Sequence, residues 1–160
     1  MWPVHYRTYE PRDAAAITNI FPESVRGLAG QYYTTEQVEA WAGRAGSIEQ
    51  VAKRCGDGRI VLVATVQNDT PIAFADMEMN GHIDMLFGLK EWARRGIAST
   101  LLSLIERYAI KNGVTRLFAE ASEGAKPVFI KAGFTMLRQR DFLMGATPIH
   151  HYLVEKNIAT

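Results

Sequence analysis

The chain begins with a weak alternation of apolar and polar residues, PVHYRTYE (Pro3 to Glu10), which predicts a first strand because successive strand side chains face opposite ways. Helical spacing takes over in PRDAAAITNIF, where Ala14, Ile17, Ile20 and Phe21 share a face. Pro22, Gly27 and Gly30 then predict a bent or interrupted segment as far as Tyr33. TTEQVEAWA carries a capping box, Thr34 with Gln37 three positions on, and Val38 and Trp41 follow on one face. A further short helix is expected near Ser47 to Arg54.

The middle of the chain reads as β. RIVLVATV (Arg59 to Val66) is rich in β-branched residues, and QNDTP is a turn. IAFADMEM alternates, with Ile72, Phe74, Asp76 and Glu78 on one face. Asn80-Gly81 is a hairpin signal, and HIDMLFGL is the next strand, so three strands form an antiparallel meander. GIASTLLSLIERYAIKNG is a helix with the stripe Ile97, Leu101, Leu104, Ile105 and Tyr108, closed by Gly113. VTRLFAEAS is a strand, and EGAKPVFIKAGF a short helix with Pro127 in an early turn and Gly133 past its end. TMLRQRDFL and PIHHYLVEK close the chain as a strand pair. This order predicts an α/β (α+β) chain with a mixed sheet, its strand–helix–strand unit crossing right-handed.

Composition narrows the function classes. A chain of 160 residues suggests one domain, 1–160, and 48% hydrophobic residues suffice for a core. A net charge of +1 offers no general field for nucleic acid. Runs such as IVLVATV are too short to span a membrane, and MWPVHYRTYE lacks the pattern of a signal peptide. The lone cysteine, Cys55, leaves no intrachain disulfide. A cytoplasmic protein with no nucleic-acid or membrane partner is expected. No Cys/His cluster has metal-ligand spacing, and the adjacent His150 and His151 face opposite sides of a strand, so no metal is expected.

The candidate chemistry gathers at RRGIAST, Arg94 to Thr100, where a strand, a glycine turn and a helix start make an anion site from unpaired backbone N–H groups. Neither a Walker pattern nor a dinucleotide fingerprint is present. EWARRGIAST resembles the pyrophosphate signature of the GNAT superfamily of N-acetyltransferases, Arg/Gln-x-x-Gly-x-Gly/Ala, with Gly96 and Ala98 at the small positions. Ala93 stands where the family usually has Arg or Gln. The resemblance covers nearly the whole chain: IDMLFGLKEWARRGIASTLL is similar to the fourth strand and third helix of that fold, and AEASEGAKPVFIKAGF to the fifth strand and next helix. With VRGLAGQYYTTEQVEAWA, the chain also resembles a bacterial subgroup labelled YafP-like.

The resemblance implies a mixed, mostly antiparallel sheet of about seven strands flanked by helices, its fourth and fifth strands splayed apart. It implies acetyl-CoA as co-substrate, its pyrophosphate held by Arg94, Arg95, Gly96, Ile97, Ala98 and Ser99. The pantetheine arm would pair with Leu86, Phe87 and Gly88, and a free N–H, foremost that of Phe87, would polarise the acetyl carbonyl. Ser122 and Lys126 would touch the coenzyme, and Phe129 would pack beside the pantetheine, where many relatives carry an acidic Tyr.

A neutral amine would attack the thioester directly in a ternary complex, so Cys55 is not expected to act as nucleophile. His82 and Asp84 share a strand face; Asp84 is the first candidate base, His82 the second and Glu120 the third. The proton for the thiolate would come from Tyr33, Tyr152 or water. The acceptor wall would comprise Ser24, Val25, Tyr32, Tyr33 and Trp41, with Trp41 and Tyr33 alternatively core residues. The expected acceptor is a small amine or an amine of a peptide or antibiotic, and the fold admits a homodimer. The alternative reading is a non-catalytic module that senses acyl-CoA or binds a partner, which Ala93 and Phe129 keep open.

Overall fold

A computed structural model describes residues 2–159. The first half of the chain runs β1 (His5–Thr8), α1 (Ala14–Leu28), α2 (Thr35–Ala42), α3 (Ile48–Cys55), β2 (Ile60–Val66) and β3 (Thr70–Met77). The second half runs β4 (His82–Ile83), β5 (Leu86–Gly88), α4 (Ile97–Lys111), β6 (Arg116–Ala121), α5 (Lys126–Lys131), β7 (Thr135–Met144) and β8 (Thr147–Asn157). One sheet has the order β1-β2-β3-β5 and is antiparallel throughout. The other has the order β4-β6-β8-β7, with β4 and β6 parallel and the rest antiparallel.

The stretch HIDMLFGL, expected as one strand, is split between the two sheets. Its start joins β6 and its end joins β3. The cause is the carboxylate of Asp76, which is 1% exposed. Its Oδ1 accepts from the backbone N–H of Asp84 at 3.2 Å and of Met85 at 2.8 Å, and Arg59 Nη1 donates to its Oδ2 at 3.0 Å. Those two amides are thereby withdrawn from either ladder, and the chain changes sheets there. The β4–β6 ladder stops at Ile83–Ala119 while β6 runs on to Ala121, so β5 and the end of β6 are splayed.

The turn that feeds this strand is tightly constrained. Gly81 has φ 98, and a Cβ there would lie 1.9 Å from the carbonyl oxygen of Arg116. Only glycine lets the Asn80-Gly81 turn close against β6.

α1 corrects an expectation. It runs unbroken through Pro22 to Leu28 instead of breaking there. An interior proline costs about 3 kcal/mol. Ile17, Ile20 and Val25 are each 3% exposed or less, and burial of each contributes about 1.5–3 kcal/mol, so packing outweighs the proline. The expected helix near Ser47 is α3, capped by Ser47 with Gln50. The box at α2 closes reciprocally: Gln37 N–H donates to Thr34 Oγ1 at 3.1 Å, and Thr34 N–H to Gln37 Oε1 at 2.9 Å. Gln37 Nε2 also donates to the Pro148 carbonyl at 3.0 Å, tying α2 to β8.

Three apolar clusters hold these layers together. α4 lays Ile97, Leu101, Leu102, Ile105 and Ala109 over both sheets. α1 and α3 cover the other side of β2 and β3 with Ile17, Ile20, Val51 and Cys55 against Val61, Val63 and Phe74. Val25, Tyr33 and Val38 meet Ile149 of β8 in the third. No helix among the described residues is long and apolar enough to cross a membrane.

Asp76→Ala removes the buried partner of Arg59, which keeps Asp57 and Asp84, and the acceptor of the Asp84 and Met85 amides. It should lower the unfolding free energy by about 3–5 kcal/mol, measured by urea denaturation; a loss under about 1 kcal/mol would mean the split does not rest on this carboxylate.

Candidate active site

The opening between β5 and β6 leads into two joined cavities. The first, about 520 Å³, is bounded by the β5 backbone, the loop into α4 and the loop into α5. The second, about 480 Å³, lies between α1, α2, α3 and the closing strands β7 and β8. Tyr33, Trp41, Phe87 and Ser122 line both and form the seam between them.

The loop before α4 is shaped by two left-handed residues, Arg94 at φ 62 and Gly96 at φ 78. Gly96 is the N-cap, and no side chain caps the helix. The first-turn N–H groups of Ile97, Ala98 and Ser99 have no acceptor within the helix, and these residues line the first cavity with Arg94 and Gly96. The helix dipole and Arg94 together make this end suited to an anion. Arg95 lies elsewhere, its guanidinium 4.7 Å from the Trp92 ring centre.

Leu86, Phe87 and Gly88 all line the first cavity, but the free amide is not that of Phe87. Asp76 N–H bonds to Met85 O and Leu89 N–H to Ile72 O, with Phe74 opposite Phe87. Antiparallel alternation therefore turns Phe87 N–H toward β3 and the amides of Leu86 and Gly88 away from it. Gly88 N–H reaches Ser24 Oγ at 3.3 Å.

Other expected contacts are redistributed. Ser122 lines the cavity. Phe129 does not: it is 3% exposed and packs edge-on against Phe134 in the main core. A helix of six residues has room for one inward face, and Phe129 occupies it. Lys126 places its ammonium 4.0 Å from the Tyr152 ring centre and does not line the cavity, whereas Lys131 does. Ser24, Val25 and Tyr32 line the first cavity rather than the second, and only Tyr33 and Trp41 of that expected wall reach both. Trp41 makes edge contacts with Tyr33 and Phe87, centroids 5.8 and 6.0 Å away.

Two of the three candidate bases face the second cavity. Asp84 lines it, with Arg59 Nη1 at 3.3 Å from its Oδ2. Glu120 lines it as well, bonded to His82 Nε2 at 2.9 Å. His82 itself sits behind, stacked on Phe118 and holding Glu78 at 2.7 Å through Nδ1. Burial alone would depress the His82 pKa, but Glu78 and Glu120 outweigh it and raise the value above the usual histidine range.

The seam is pinned by Tyr33. Its hydroxyl accepts from Glu123 N–H at 2.9 Å and donates to the His150 carbonyl at 3.2 Å, and burial pushes its pKa up. The His150 ring, 2.6 Å away, holds the Glu123 carboxyl below its usual range, and Tyr152 adds a bond of 2.8 Å. Cys55 is buried, its pKa pushed up by desolvation, and it lines neither cavity. No group of three His, Cys, Asp or Glu among the described residues could hold a metal.

Several lining residues escaped the sequence reading. Arg44, Arg54 and His151 line the second cavity. Arg54 follows the buried Val51 by one helical turn, the one signal that placed it beside an inward face. That it shares a cavity with β8 residues arises only from the tertiary fold.

Residues 30–152 match the protein family described as acetyltransferase (GNAT) domain. The chain is 35% identical over 137 residues to the uncharacterized N-acetyltransferase YafP of Escherichia coli K12, covering 86% of this chain and 85% of that one. A GCN5-related N-acetyltransferase structure from Rhodopseudomonas palustris superposes with TM-score 0.88 at 31% identity, over 96% of this chain and 94% of that one. The fold also matches YncA of Salmonella typhimurium, a putative acetyltransferase solved with its cofactor acetyl-CoA: TM-score 0.78, 16% identity, 99% and 95% coverage.

The raised pKa of His82 gives a pH signature. Its pairing with Glu78 and Glu120 stabilises fully below the unfolded histidine pKa and is lost as pH rises through the folded value. His82→Ala should therefore cost more stability at pH 6 than at pH 9 in urea titrations. An equal cost at both would remove the charged pairing.

Proposed function

The chain belongs to the GNAT acetyltransferase family, and from that premise we propose that residues 1–160 act as one domain that moves an acetyl group from acetyl-CoA to a primary amine within a ternary complex. The observation that carries this reading is the pair of cavities joined at Tyr33, Trp41, Phe87 and Ser122. One takes the coenzyme and the other the acceptor, so the reacting atoms meet at the seam.

The chain's groups fit the coenzyme. The unpaired amides of Ile97, Ala98 and Ser99, with Arg94, suit a pyrophosphate. The outward amide of Leu86 and the outward carbonyls of Leu86 and Gly88 suit an extended amide-bearing arm, which they would take as an added strand. Acetyl-CoA supplies an acetyl group already activated as a thioester. With the pyrophosphate at Gly96, the arm runs from Gly88 toward Leu86, so Leu86 N–H is the donor assigned to the developing oxyanion.

Asp84 is assigned as the base. An alkylamine has a pKa of about 10.4 and must shed a proton before it attacks. Asp84 faces the acceptor cavity and stays partly exposed, so it can take that proton directly or through water. His82 acts through Glu120, fixing its orientation at the cavity wall. Tyr33 holds the seam: its proton is committed to the His150 carbonyl, so water is assigned as the proton source for the thiolate, whose free pKa is only about 8.5.

Thermal unfolding with and without acetyl-CoA, followed by thiol release with an amine panel, tests the reading. Ligand at about 100 times its dissociation constant adds about 2.7 kcal/mol. No shift with a folded protein would sink the coenzyme assignment, and a shift with no turnover would leave a binding module.

Two substitutions separate the halves of the site. Gly96→Val puts a β-branched residue at φ 78 and at the phosphate's approach; it should weaken acetyl-CoA binding ~10-fold or more by calorimetry while far-UV circular dichroism is retained. Asp84→Asn should lower kcat ~100-fold at neutral pH with acetyl-CoA affinity unchanged. Wild-type turnover in that variant would remove Asp84 as the base.

A further inference from the structure

We propose that the acceptor is a small zwitterion, a primary amine that also carries a carboxylate on an apolar body, in the manner of an α-amino acid. This rests on the acetyltransferase reading above and names the class of molecule that the second cavity takes.

The cavity has two differently charged walls. The sheet wall presents the carboxylates of Asp84 and Glu120. Each is already engaged by one cationic group of the protein, Arg59 and His82 respectively. The helical wall presents Arg44, just past α2, and Arg54, near the end of α3. Among the described residues neither guanidinium forms an ion pair with a carboxylate. Arg54 is the more telling of the two: its Nε is buried and has no hydrogen-bond partner. His151 Nε2, on the same cavity, is buried and unpartnered as well.

Buried polar atoms without partners are rare, and two on one cavity point to a polar group that fills it. Burial, with the Arg140 charge adding to it, lowers the His151 pKa, so this ring is neutral at physiological pH and offers one nitrogen as donor or acceptor. The two arginines supply the charge. A carboxylate accepts paired bonds from a guanidinium, which a neutral group does less well.

The space between the walls is apolar. Phe21, Trp41, Phe87 and Phe142 line it, and Phe142 stacks near His151 with centroids 4.4 Å apart. A volume of about 480 Å³ suits a small molecule. Its ammonium faces Asp84 and Glu120 near the seam, and its carboxylate reaches Arg54 and Arg44. A simple amine leaves both arginines unmatched, and a polyamine sets a second cation against them.

The transfer is balanced in the ordinary way. The ammonium gives one proton to the base before attack. The neutral nitrogen then forms the C–N bond as the thioester C–S bond breaks, its second proton passes to water, and water protonates the leaving thiolate. The product keeps the carboxylate and loses the ammonium, so its hold on the sheet wall is the part that is released.

The test compares matched pairs, L-phenylalanine with phenethylamine and L-methionine with 3-(methylthio)propylamine. Each is measured as thiol release from acetyl-CoA and, separately, by calorimetric binding to the CoA-saturated protein. The amino acids should be favoured ~10-fold or more in both readouts. Arg54→Met should abolish most of that preference through KM, Arg54→Lys should keep part of it, and affinity for acetyl-CoA should hold in both. Equal or better use of the decarboxylated amines would overturn the zwitterion and leave the transferase. Preferential binding of the amino acids without turnover would support the zwitterion site and overturn the transferase. No binding of either member would overturn the proposal, with CoA binding reporting separately on the coenzyme half.

Discussion

The carboxylate of Asp76 decides where the two sheets part. Buried beneath the strand that would otherwise continue, it takes the amides of Asp84 and Met85 and so removes both from the ladders. Desolvation, with the nearby charge of Asp84 adding to it, pushes its pKa up to about 6, while Met85 and Arg59 work against that rise. Arg59 then serves three carboxylates at once, those of Asp57, Asp76 and Asp84. The interaction that opens the sheet therefore also turns Asp84 into the second cavity. The cleft opens where those two amides leave the ladders.

The opening is held from its other side by groups that belong to the backbone. The hydroxyl of Tyr33 joins the loop after β6 to β8, bonding to Glu123 N–H and to the His150 carbonyl. The reciprocal caps of α2 fix the helix that carries Trp41, and Gln37 ties its start to Pro148. The seam between the cavities thus includes side chains whose positions are set by main-chain partners, which keeps it stiff where the two cavities join.

The elements were legible in the sequence because their signals are local. The capping box at Thr34, the Asn80-Gly81 turn, the stripe of α4 and the glycine loop before it all read as they fold. The misreadings share a cause in tertiary competition. Pro22 looked like a break, yet the buried face of α1 carries the helix past it. HIDMLFGL looked like one strand because nothing local reports that a distant aspartate takes its central amides. Phe87 looked like the free amide, although register with β3 turns the amides of Leu86 and Gly88 outward instead, and Ser24 takes that of Gly88. Phe129 and Lys126 lie near the coenzyme cleft in sequence, but a six-residue helix turns one into the core and the other onto Tyr152. Arg54 and His151 were not legible as partners, since only the tertiary fold brings α3 and β8 to the walls of one cavity.

α1 has a consequence of its own. Ile17, Thr18 and Phe21 line one cavity, while Ser24, Val25 and Leu28, one turn further on, line the other. Phe21 and Ser24 are separated by about 4.5 Å of axial rise, a spacing that a helix cannot change without breaking. Pro22 stands between them, adding a ring whose φ is fixed. The helix is a ruler laid across the boundary: the gap between the two cavities is measured out by one turn of main chain, not negotiated by mobile loops.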